Sequence, residues 1–216
     1  MFKPVKTGKI TDNLYAVRSV ISNFYIYDTG KNLIVFDTGI SKALVRSSFK
    51  KLGLDINKVS HIFLTHSDFD HVGGLKIFKN AKVYISEKEK PLITMEKPRR
   101  VIIFNKKIHN VELLKNNEEI NINGTVIKII STPGHTIGSA VYIINGDTLV
   151  TGDTISLSKN EIKSFSFIQN MNHKENIETV RKLKKEKIFD KMSLILSGHH
   201  GIRKNENNGN IDLKKT

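Results

Sequence analysis

The sequence predicts an α/β (α+β) protein in which strands and helices form two sheet-plus-helix layers. Two observations predict this class: short apolar segments bounded by turn residues recur in both halves of the chain, and segments with helical apolar spacing lie between them. With 216 residues, of which 38% are hydrophobic, the chain is long enough to bury a large core. We expect a single domain over residues 1–216, with a polar, flexible tail from about residue 204.

The first half of the chain contains most of the strand-like segments. Turn-forming residues such as Asp37-Thr38-Gly39 separate them, as is typical of short strands. The helical segment between them stops at Gly53, a residue that suits the left-handed conformation at the end of a helix. The predicted strands lie at 13–17, 23–27, 32–36, 61–65 and 81–85, and the predicted helices lie at 44–52 and from near His71.

The second half becomes strand-rich again from residue 111. Residues 87–110 are the least regular part of the chain, and we interpret them as an insertion between structural layers. Asn172 followed by Glu175 resembles a capping box that opens a helix. The predicted strands lie at 125–130, 140–144 and 148–150, with a final strand at 193–196.

Composition excludes some classes of protein and leaves others open. The absence of cysteine excludes disulfides, thiolate metal sites and cysteine nucleophiles. No apolar run reaches the length of about 18 residues that a membrane span needs, and the N-terminus lacks an apolar signal core, so we expect a cytoplasmic protein with no membrane partner. The net charge of +14 favours anionic partners, but scattered lysines account for most of it, and a nucleic-acid role is not the favoured interpretation.

The densest cluster of chemically useful residues is Thr65-His66-Ser67-Asp68-Phe69-Asp70-His71, which follows the apolar run 62–64. If the chain stays extended there, residues 66, 68 and 70 point to one side. Ionised carboxylates at the end of a buried strand are costly unless they are paired or bind a metal. The segment therefore predicts a cation site, with a solvated acidic loop as the alternative.

Three further candidates follow apolar strands later in the chain, and each comes directly after a glycine. They are His135, Asp153 and His199. Each alone is weak, because a lone histidine is usually packed or solvated. Together with the segment at 65–71, they place four of the eight histidines and three aspartates at strand exits. His200 lies within reach of them. The candidate metal ligands are therefore His66, Asp68, Asp70, His71, His135, Asp153 and His199.

This order of motifs resembles the metallo-β-lactamase superfamily, which includes glyoxalase II, lactonases and RNA-processing nucleases. The resemblance runs from Asp37 to Gly201 and implies a four-layer αββα sandwich of two mixed β-sheets flanked by helices. It also implies two divalent metal ions, with Asp37 supporting the site rather than binding. The implied ligands are His66 and His135 for the first ion and Asp70, His71 and His199 for the second, with Asp153 bridging both.

The departure from the family pattern is Asp68, which stands where a second histidine is usual. A carboxylate keeps the ligand capacity but is harder than imidazole, so iron or manganese become alternatives to zinc. Zinc stays the first choice because Asp, His and water make an acceptable tetrahedral set. The exchange also leaves open that the first ion binds weakly or not at all.

The resemblance implies a metal-dependent hydrolase that uses a metal-bound hydroxide to cleave an ester-type bond (thioester, lactone or carboxylic ester) of a small molecule. Asp70 would be the catalytic carboxylate that orients the hydroxide. His200, Lys97 and Arg99 are candidate contacts for an anionic substrate, although a solvated surface loop is the favoured interpretation of the two basic residues. One alternative is a phosphodiesterase or nuclease, favoured by the charge and by Asp68. Another is a non-catalytic metal or redox sensor.

Overall fold

The protein is described by a computed structural model that covers residues 2–158 and 161–205. Within these ranges the chain forms two large β-sheets, a small hairpin and flanking helices. The predicted tail from 206 to 216 lies outside the described residues, so the single domain over 1–216 stays a prediction. No helix in the described part of the chain has the length and apolar content needed to cross a membrane.

The first sheet has seven strands that lie side by side in chain order. These strands are β1 (Gly8–Thr11), β2 (Leu14–Ser19), β3 (Ser22–Asp28), β4 (Leu33–Phe36), β5 (Val59–Leu64), β6 (Lys82–Ser86) and β7 (Val111–Leu114). Strands β1 to β4 pair antiparallel, whereas β4 to β7 pair parallel. The sheet is therefore mixed, and the carboxyl ends of its parallel strands share one edge.

The second sheet has six strands in the order β15-β14-β11-β10-β9-β8, and β12 and β13 form a separate hairpin. These strands are β8 (Glu119–Ile122), β9 (Thr125–Ser131), β10 (Ala140–Ile144), β11 (Thr148–Gly152), β12 (Ile155–Ser158), β13 (Glu161–Ser164), β14 (Leu194–Ser197) and β15 (Ile202–Lys204). Among the described strands of this sheet, β11 and β14 pair parallel, and all other neighbouring strands pair antiparallel. It is therefore mixed as well.

The helices begin and end where local chemistry favours it. In the longest two, the Ser41 hydroxyl accepts from Leu44 N and the Asn172 amide oxygen accepts from Glu175 N, so each first turn has a capped donor. Gly53 adopts φ 67° after the first of these helices, as a C-terminal glycine does. The helices are α1 (Lys42–Leu52), α2 (Phe69–Val72), α3 (Lys90–Ile93), α4 (His173–Lys185) and α5 (Ile188–Lys191).

The hydrophobic core lies in three layers that follow from alternation along the strands. In β5, Phe63 points between the two sheets, whereas Ile62 and Leu64 point to the opposite face, which α1 covers through Val45 and Phe49. A third cluster packs α4 and α5 against the outer face of the second sheet. Both faces of β5 are buried over residues 62–64, which explains the apolar run there. The order of layers is helix, sheet, sheet, helix, so the predicted αββα sandwich is confirmed.

The sequence located most central elements and missed peripheral ones. Ser193–Leu196 was expected to be the final strand, but β15 follows it and pairs with β14. The outer pieces β1, β7, β8 and the β12–β13 hairpin were not identified individually, because they are short and have half-exposed, mixed sequences. Lys204, placed at the start of the tail, belongs to β15.

Candidate metal centre

The predicted ligands meet at the carboxyl ends of strands from both sheets. His66 follows β5, and the single turn of α2 directly afterwards carries Asp70 and His71. His135, Asp153 and His199 come after β9, β11 and β14 of the second sheet and complete the cluster. We expected residues 66, 68 and 70 to point to one side of an extended chain. This was wrong for Asp70, because the backbone turns into α2 at Phe69. That turn brings two adjacent residues, 70 and 71, to the same site.

One group of ligand atoms is formed by Asp70, His71 and His199. The distance is 3.4 Å from His71 Nε2 to His199 Nε2, 3.4 Å from His199 Nε2 to Asp70 Oδ2 and 3.7 Å from His71 Nε2 to Asp70 Oδ2. Ligands about 2.0–2.1 Å from a tetrahedral zinc are about 3.3 Å apart, which is close to these three edges. We call these three residues the second half-site.

A second group is formed by His66, Asp68 and His135, which we call the first half-site. A third group joins the two half-sites, because His66 and His71 also lie close to Asp153. Asp68 Oδ2 is 3.2 Å from His135 Nε2 and 3.8 Å from His66 Nε2. Asp153 lies between the groups, because its Oδ2 is 3.0 Å from His199 Nε2 and 3.5 Å from His135 Nε2. The structure thus brings together all seven predicted ligands, while their role in binding metal stays a prediction.

Hydrogen bonds from behind fix the tautomer of each imidazole. His71 Nδ1 is 2.8 Å from Asp37 Oδ2, and His199 Nδ1 is 2.6 Å from the carbonyl oxygen of Ile21. Both partners are acceptors, so both Nδ1 atoms carry the proton. The same holds for His135, whose Nδ1 is 3.2 Å from Asn170 Oδ1. In each ring the Nε2 lone pair therefore faces the centre of the cluster.

His66 follows the same rule through the Thr65 hydroxyl. Thr65 Oγ1 donates to Asp37 Oδ2, so it has to accept from His66 Nδ1 at 2.9 Å. His66 Nε2 and Asp153 Oδ1 are buried without a hydrogen-bond partner among the described residues. Lone pairs that converge without donors repel one another unless a cation lies between them. The donor set therefore fits a divalent metal ion, and imidazole with carboxylate suits zinc.

The charges of the cluster shift the pKa values in opposite directions. Burial lowers the pKa of His66 well below its usual value, and His71 and His135 lower it further. Burial also lowers the pKa of His71, but Asp153, Asp70 and Asp37 outweigh it and raise this pKa well above the ordinary range. The carboxylates around His71 therefore favour a positive charge at this point of the cluster, which a bound divalent metal would supply.

Arg99 is the unexpected member of the cluster. Its Nε and Nη2 atoms donate to Asp68 Oδ1 at 2.7 Å and Asp68 Oδ2 at 2.9 Å. The arginine is only 6% exposed, so the interpretation as a solvated surface residue was wrong for Arg99. Burial opposes ionisation of Asp68, but contacts with His135, His66 and Arg99 hold its pKa well below the usual range. No pattern in the sequence linked residue 99 to residue 68.

The other two candidate substrate contacts lie further out. The Lys97 side chain is exposed, and no described hydrogen bond or ion pair joins Lys97 to the cluster. His200 is half-buried, and its ring packs against Phe2 and Phe165 at centroid distances of 5.5 and 5.8 Å. Substrate binding by Lys97, Arg99 and His200 stays a prediction.

Sequence reasoning also missed Glu89, a buried carboxylate behind the site. Its Oε1 accepts from the backbone N and the hydroxyl of Ser67 at 2.9 and 2.6 Å. Its Oε2 accepts from Thr136 Oγ1 at 2.7 Å and Gly138 N at 3.0 Å. Glu89 therefore joins the loop of the first half-site to the loop that carries His135. Its position in the irregular stretch 87–110 gave no signal of this role.

Close packing explains the glycines that precede ligands. A Cβ atom on Gly198 would lie 2.2 Å from Asp153 Oδ1, and one on Gly152 would lie 2.3 Å from Thr65 Oγ1. Gly152 also has φ 49°, in the left-handed region. Glycine at both positions therefore lets these strand-end loops approach closely.

Large apolar side chains lie exposed on two adjoining segments next to Arg99. Arg100 Nη2 donates to the carbonyl oxygen of Ile168, and Arg99 Nη2 donates to that of Gln169 at 2.8 Å. These bonds hold the loop at 99–104 against the segment at 167–169. The exposed apolar residues of the two segments, together with the neighbour of Asp68, form what we call the apolar rim: Phe69, Val101, Ile102, Ile103, Phe104, Phe167 and Ile168.

The chain belongs to the metallo-β-lactamase superfamily, because the model of that family matches residues 17–199. The match includes every predicted ligand and most strands of the two sheets, and it places the protein in the class of metallo-hydrolases.

Relatives of known name agree with this class. A probable metallo-hydrolase of Methanocaldococcus jannaschii is 30% identical over 174 residues, which are 78% of this chain and 71% of the relative. The probable polyketide biosynthesis zinc-dependent hydrolase PksB of Bacillus subtilis is 27% identical over 158 residues, 70% of this chain and 60% of that protein. A hydroxyacylglutathione hydrolase of Buchnera aphidicola is 29% identical over 163 residues, 71% of this chain and 58% of that protein. The chain therefore spans about three fifths of the last two relatives.

The fold agrees with a solved member of the superfamily. A B3 metallo-β-lactamase with an active-site glutamic acid superposes with a TM-score of 0.74, covering 95% of this chain and 85% of that chain. Its sequence identity is 17%, so the likeness shows the fold alone.

Proposed function

We propose that this protein is a zinc-dependent hydrolase that cleaves an ester-type bond (thioester, lactone or carboxylic ester) of a small molecule. The observation that carries the proposal is the convergence of four Nε2 lone pairs and three carboxylates at the shared edge of two sheets. Such a donor set has no structural use without a cation. The superfamily and a relative named as a zinc-dependent hydrolase support zinc as the metal.

The residues of the chain divide the work of hydrolysis. A divalent metal supplies, when bound, an activated water and an electrophilic contact for the scissile carbonyl. The four imidazoles are kept in the Nδ1-protonated tautomer that a metal at Nε2 requires. The groups that hold them are Asp37, Thr65, Asn170 and the carbonyl oxygen of Ile21. Asp70 Oδ2 lies 3.4 Å from His199 Nε2 and 3.7 Å from His71 Nε2. Its carboxylate is therefore placed to orient a nucleophile held at the second half-site.

The apolar rim supports an uncharged acyl group as the part of the substrate next to the site. Val101 and Ile102 are 93% and 83% exposed, and Phe167 and Ile168 are 72% and 75% exposed. Apolar surface of this extent next to a site marks a binding face rather than ordinary surface. A relative named as a hydroxyacylglutathione hydrolase, whose substrate by that name is a thioester, also supports this class.

The second candidate is a phosphodiesterase or nuclease, because exposed Lys97, Arg100, Lys106 and Lys107 lie on the same loop as the rim and the net charge is +14. Arg99 does not add to this case, since Asp68 already neutralises it. The two candidates differ in their response to salt. Nucleic-acid binding weakens steeply as salt rises, whereas turnover of a small uncharged ester barely responds.

The test combines metal content with activity. Zinc-loaded protein is assayed with p-nitrophenyl acetate, an acyl thioester and bis-p-nitrophenyl phosphate, and bound zinc is measured by elemental analysis. We expect His71→Ala and Asp153→Ala to lose bound zinc and at least about a hundredfold in ester turnover. His109→Ala is the matched control, because His109 is exposed and outside the cluster.

Each other outcome contradicts the proposal. Turnover at the wild-type level in both variants would exclude a metal-dependent mechanism. Turnover of the phosphodiester alone would favour the second candidate, and zinc binding without any turnover would favour a sensor. The cytoplasmic location expected from the sequence stays a prediction.

A further inference from the structure

We propose that Arg99 is the resident cation of the first half-site, so that this protein binds one metal ion tightly, at the second half-site, instead of two. The proposal concerns how many ions the chain holds and does not depend on the substrate. It goes beyond the two-ion pattern that the family resemblance implies, and it rests on where the Arg99 guanidinium lies.

The guanidinium takes the bonds that a first metal would need. Arg99 Nη2 is 2.9 Å from Asp68 Oδ2 and 3.3 Å from His135 Nε2, which are two of the three ligand atoms of the first half-site. A zinc ion there would lie about 2.0–2.2 Å from the same two atoms. Arg99 Nη2 and a metal would therefore compete for the same lone pairs. At the second half-site, no described cationic side chain contacts Asp70, His71 or His199 in this way.

Two features hold Arg99 in this place. Its fork is bidentate on Asp68, which is the strongest geometry available to an arginine and a carboxylate. Asn105 Nδ2, 3.2 Å from Asp68 Oδ1, and the carbonyl oxygen of Gln169, 2.8 Å from Arg99 Nη2, add further hydrogen bonds to the pair. Because the arginine is buried, breaking the pair would leave an uncompensated charge, which is strongly unfavourable.

Charge balance points the same way. Asp68, Asp70 and Asp153 contribute three negative charges to the interior of the cluster. Arg99 already places a positive charge within hydrogen-bond distance of Asp68 and His135, so an ion at the first half-site would have to bind against the repulsion of the guanidinium. A second ion would therefore bind tightly only if Arg99 left.

Asp68 explains why arginine can hold this position. Asp68 stands where the family has a histidine, and an imidazole could not bind both arms of a guanidinium fork. Both arms of the fork, Nε and Nη2, are bonded to Asp68, whereas Arg99 Nη1 has no hydrogen-bond partner among the described residues. The exchange at residue 68 and the placement of Arg99 are therefore two parts of one feature.

The test counts ions instead of measuring activity. The purified wild type, Arg99→Gln and Arg100→Gln are stripped with a chelator, reloaded with Zn²⁺ and filtered, and zinc per chain is measured by elemental analysis. A chromophoric chelator then gives the Kd of each ion. Arg100→Gln is the matched control, because it removes the same charge from the same loop but contacts Ile168 and not the cluster.

We expect about one zinc per chain in the wild type and in Arg100→Gln, and two in Arg99→Gln. The ion at the first half-site, which is the second to bind, should bind about ten- to a hundredfold more tightly in Arg99→Gln than in the wild type. This is the range over which changes to the partners of metal ligands alter metal affinity. Two tightly bound ions in the wild type would overturn the proposal. So would equal zinc content in Arg99→Gln and Arg100→Gln.

Circular dichroism shows whether each variant is folded. If Arg99→Gln does not fold, Arg99→Lys decides, because lysine keeps the charge but has no planar fork for both oxygens of Asp68. The second ion should then bind more tightly than in the wild type. A second-ion Kd unchanged from the wild type in Arg99→Lys would overturn the proposal.

Discussion

Replacing Asp37 by asparagine should weaken metal binding although Asp37 is not a predicted ligand. Asp37 Oδ1 accepts from Thr65 N at 2.8 Å, and Oδ2 accepts from Thr65 Oγ1 at 2.8 Å and from His71 Nδ1 at 2.8 Å. A backbone N–H can only donate, so the oxygen of an asparagine has to stay at the Oδ1 position. Its amide nitrogen then faces His71 Nδ1 and donates to it.

The consequence is a change of tautomer at His71. With Nδ1 accepting, the ring proton moves to Nε2, and the lone pair that faces Asp70 and His199 is lost. Removing an outer partner of a metal-binding histidine typically costs ten- to a hundredfold in metal affinity, which corresponds to about 1.4–2.7 kcal/mol. The charge change alone is smaller in effect, because Asp37 lies behind the imidazole and not at the ligand atoms.

The assay is competition for Zn²⁺ between the protein and a chromophoric chelator at fixed pH. The control is Asp12→Asn, which makes the same chemical change at an exposed carboxylate paired only with Lys9 among the described contacts. Equal zinc affinity, within about twofold, in Asp37→Asn and Asp12→Asn would refute the assigned tautomers. Folding of both variants is checked by circular dichroism.

Two further changes test the packing around the site. Gly198→Ala should lose bound zinc in elemental analysis, because the new Cβ would lie 2.2 Å from Asp153 Oδ1; zinc content equal to that of Gly53→Ala would contradict this close approach. Glu89→Gln should lower the free energy of unfolding in urea by about 1–3 kcal/mol, because an amide nitrogen would face a buried donor of Ser67, Thr136 or Gly138. Glu87→Gln, at an exposed neighbour, should change it by less than about 0.5 kcal/mol.

The sequence could predict this cluster because the candidate ligands lie in the short loops and the helical turn that follow apolar strands. Parallel strands such as β5 end at one edge of a sheet, so side chains at strand exits meet even when they are far apart in sequence. Short apolar runs also located core strands, since residues 62–64 of β5 and all of β10 are buried on both faces. The order of the motifs then supplied the family, and the family supplied the layer order that periodicity alone does not determine.

Arg99 and Glu89 could not be found in the same way. Both lie in the stretch 87–110, where short helical turns and a single bridge between residues 100 and 103 have no apolar period. Their partners, Asp68 and Ser67, are at least 22 residues away in sequence. Only three-dimensional packing shows that a buried carboxylate and a buried guanidinium support the two halves of the motif at 66–71.

The division of the predicted ligands between the two sheets would make the stability of the protein depend on the metal that we propose it binds. An ion that binds only the folded chain adds about 2.7 kcal/mol to its stability when its concentration is a hundred times Kd. Because an ion at Asp70, His71 and His199 would join loops of opposite sheets, its loss should open the edge where the sheets meet. In a cell short of zinc, the metal-free chain would then be degraded before the metal-loaded chain, since it is the better protease substrate.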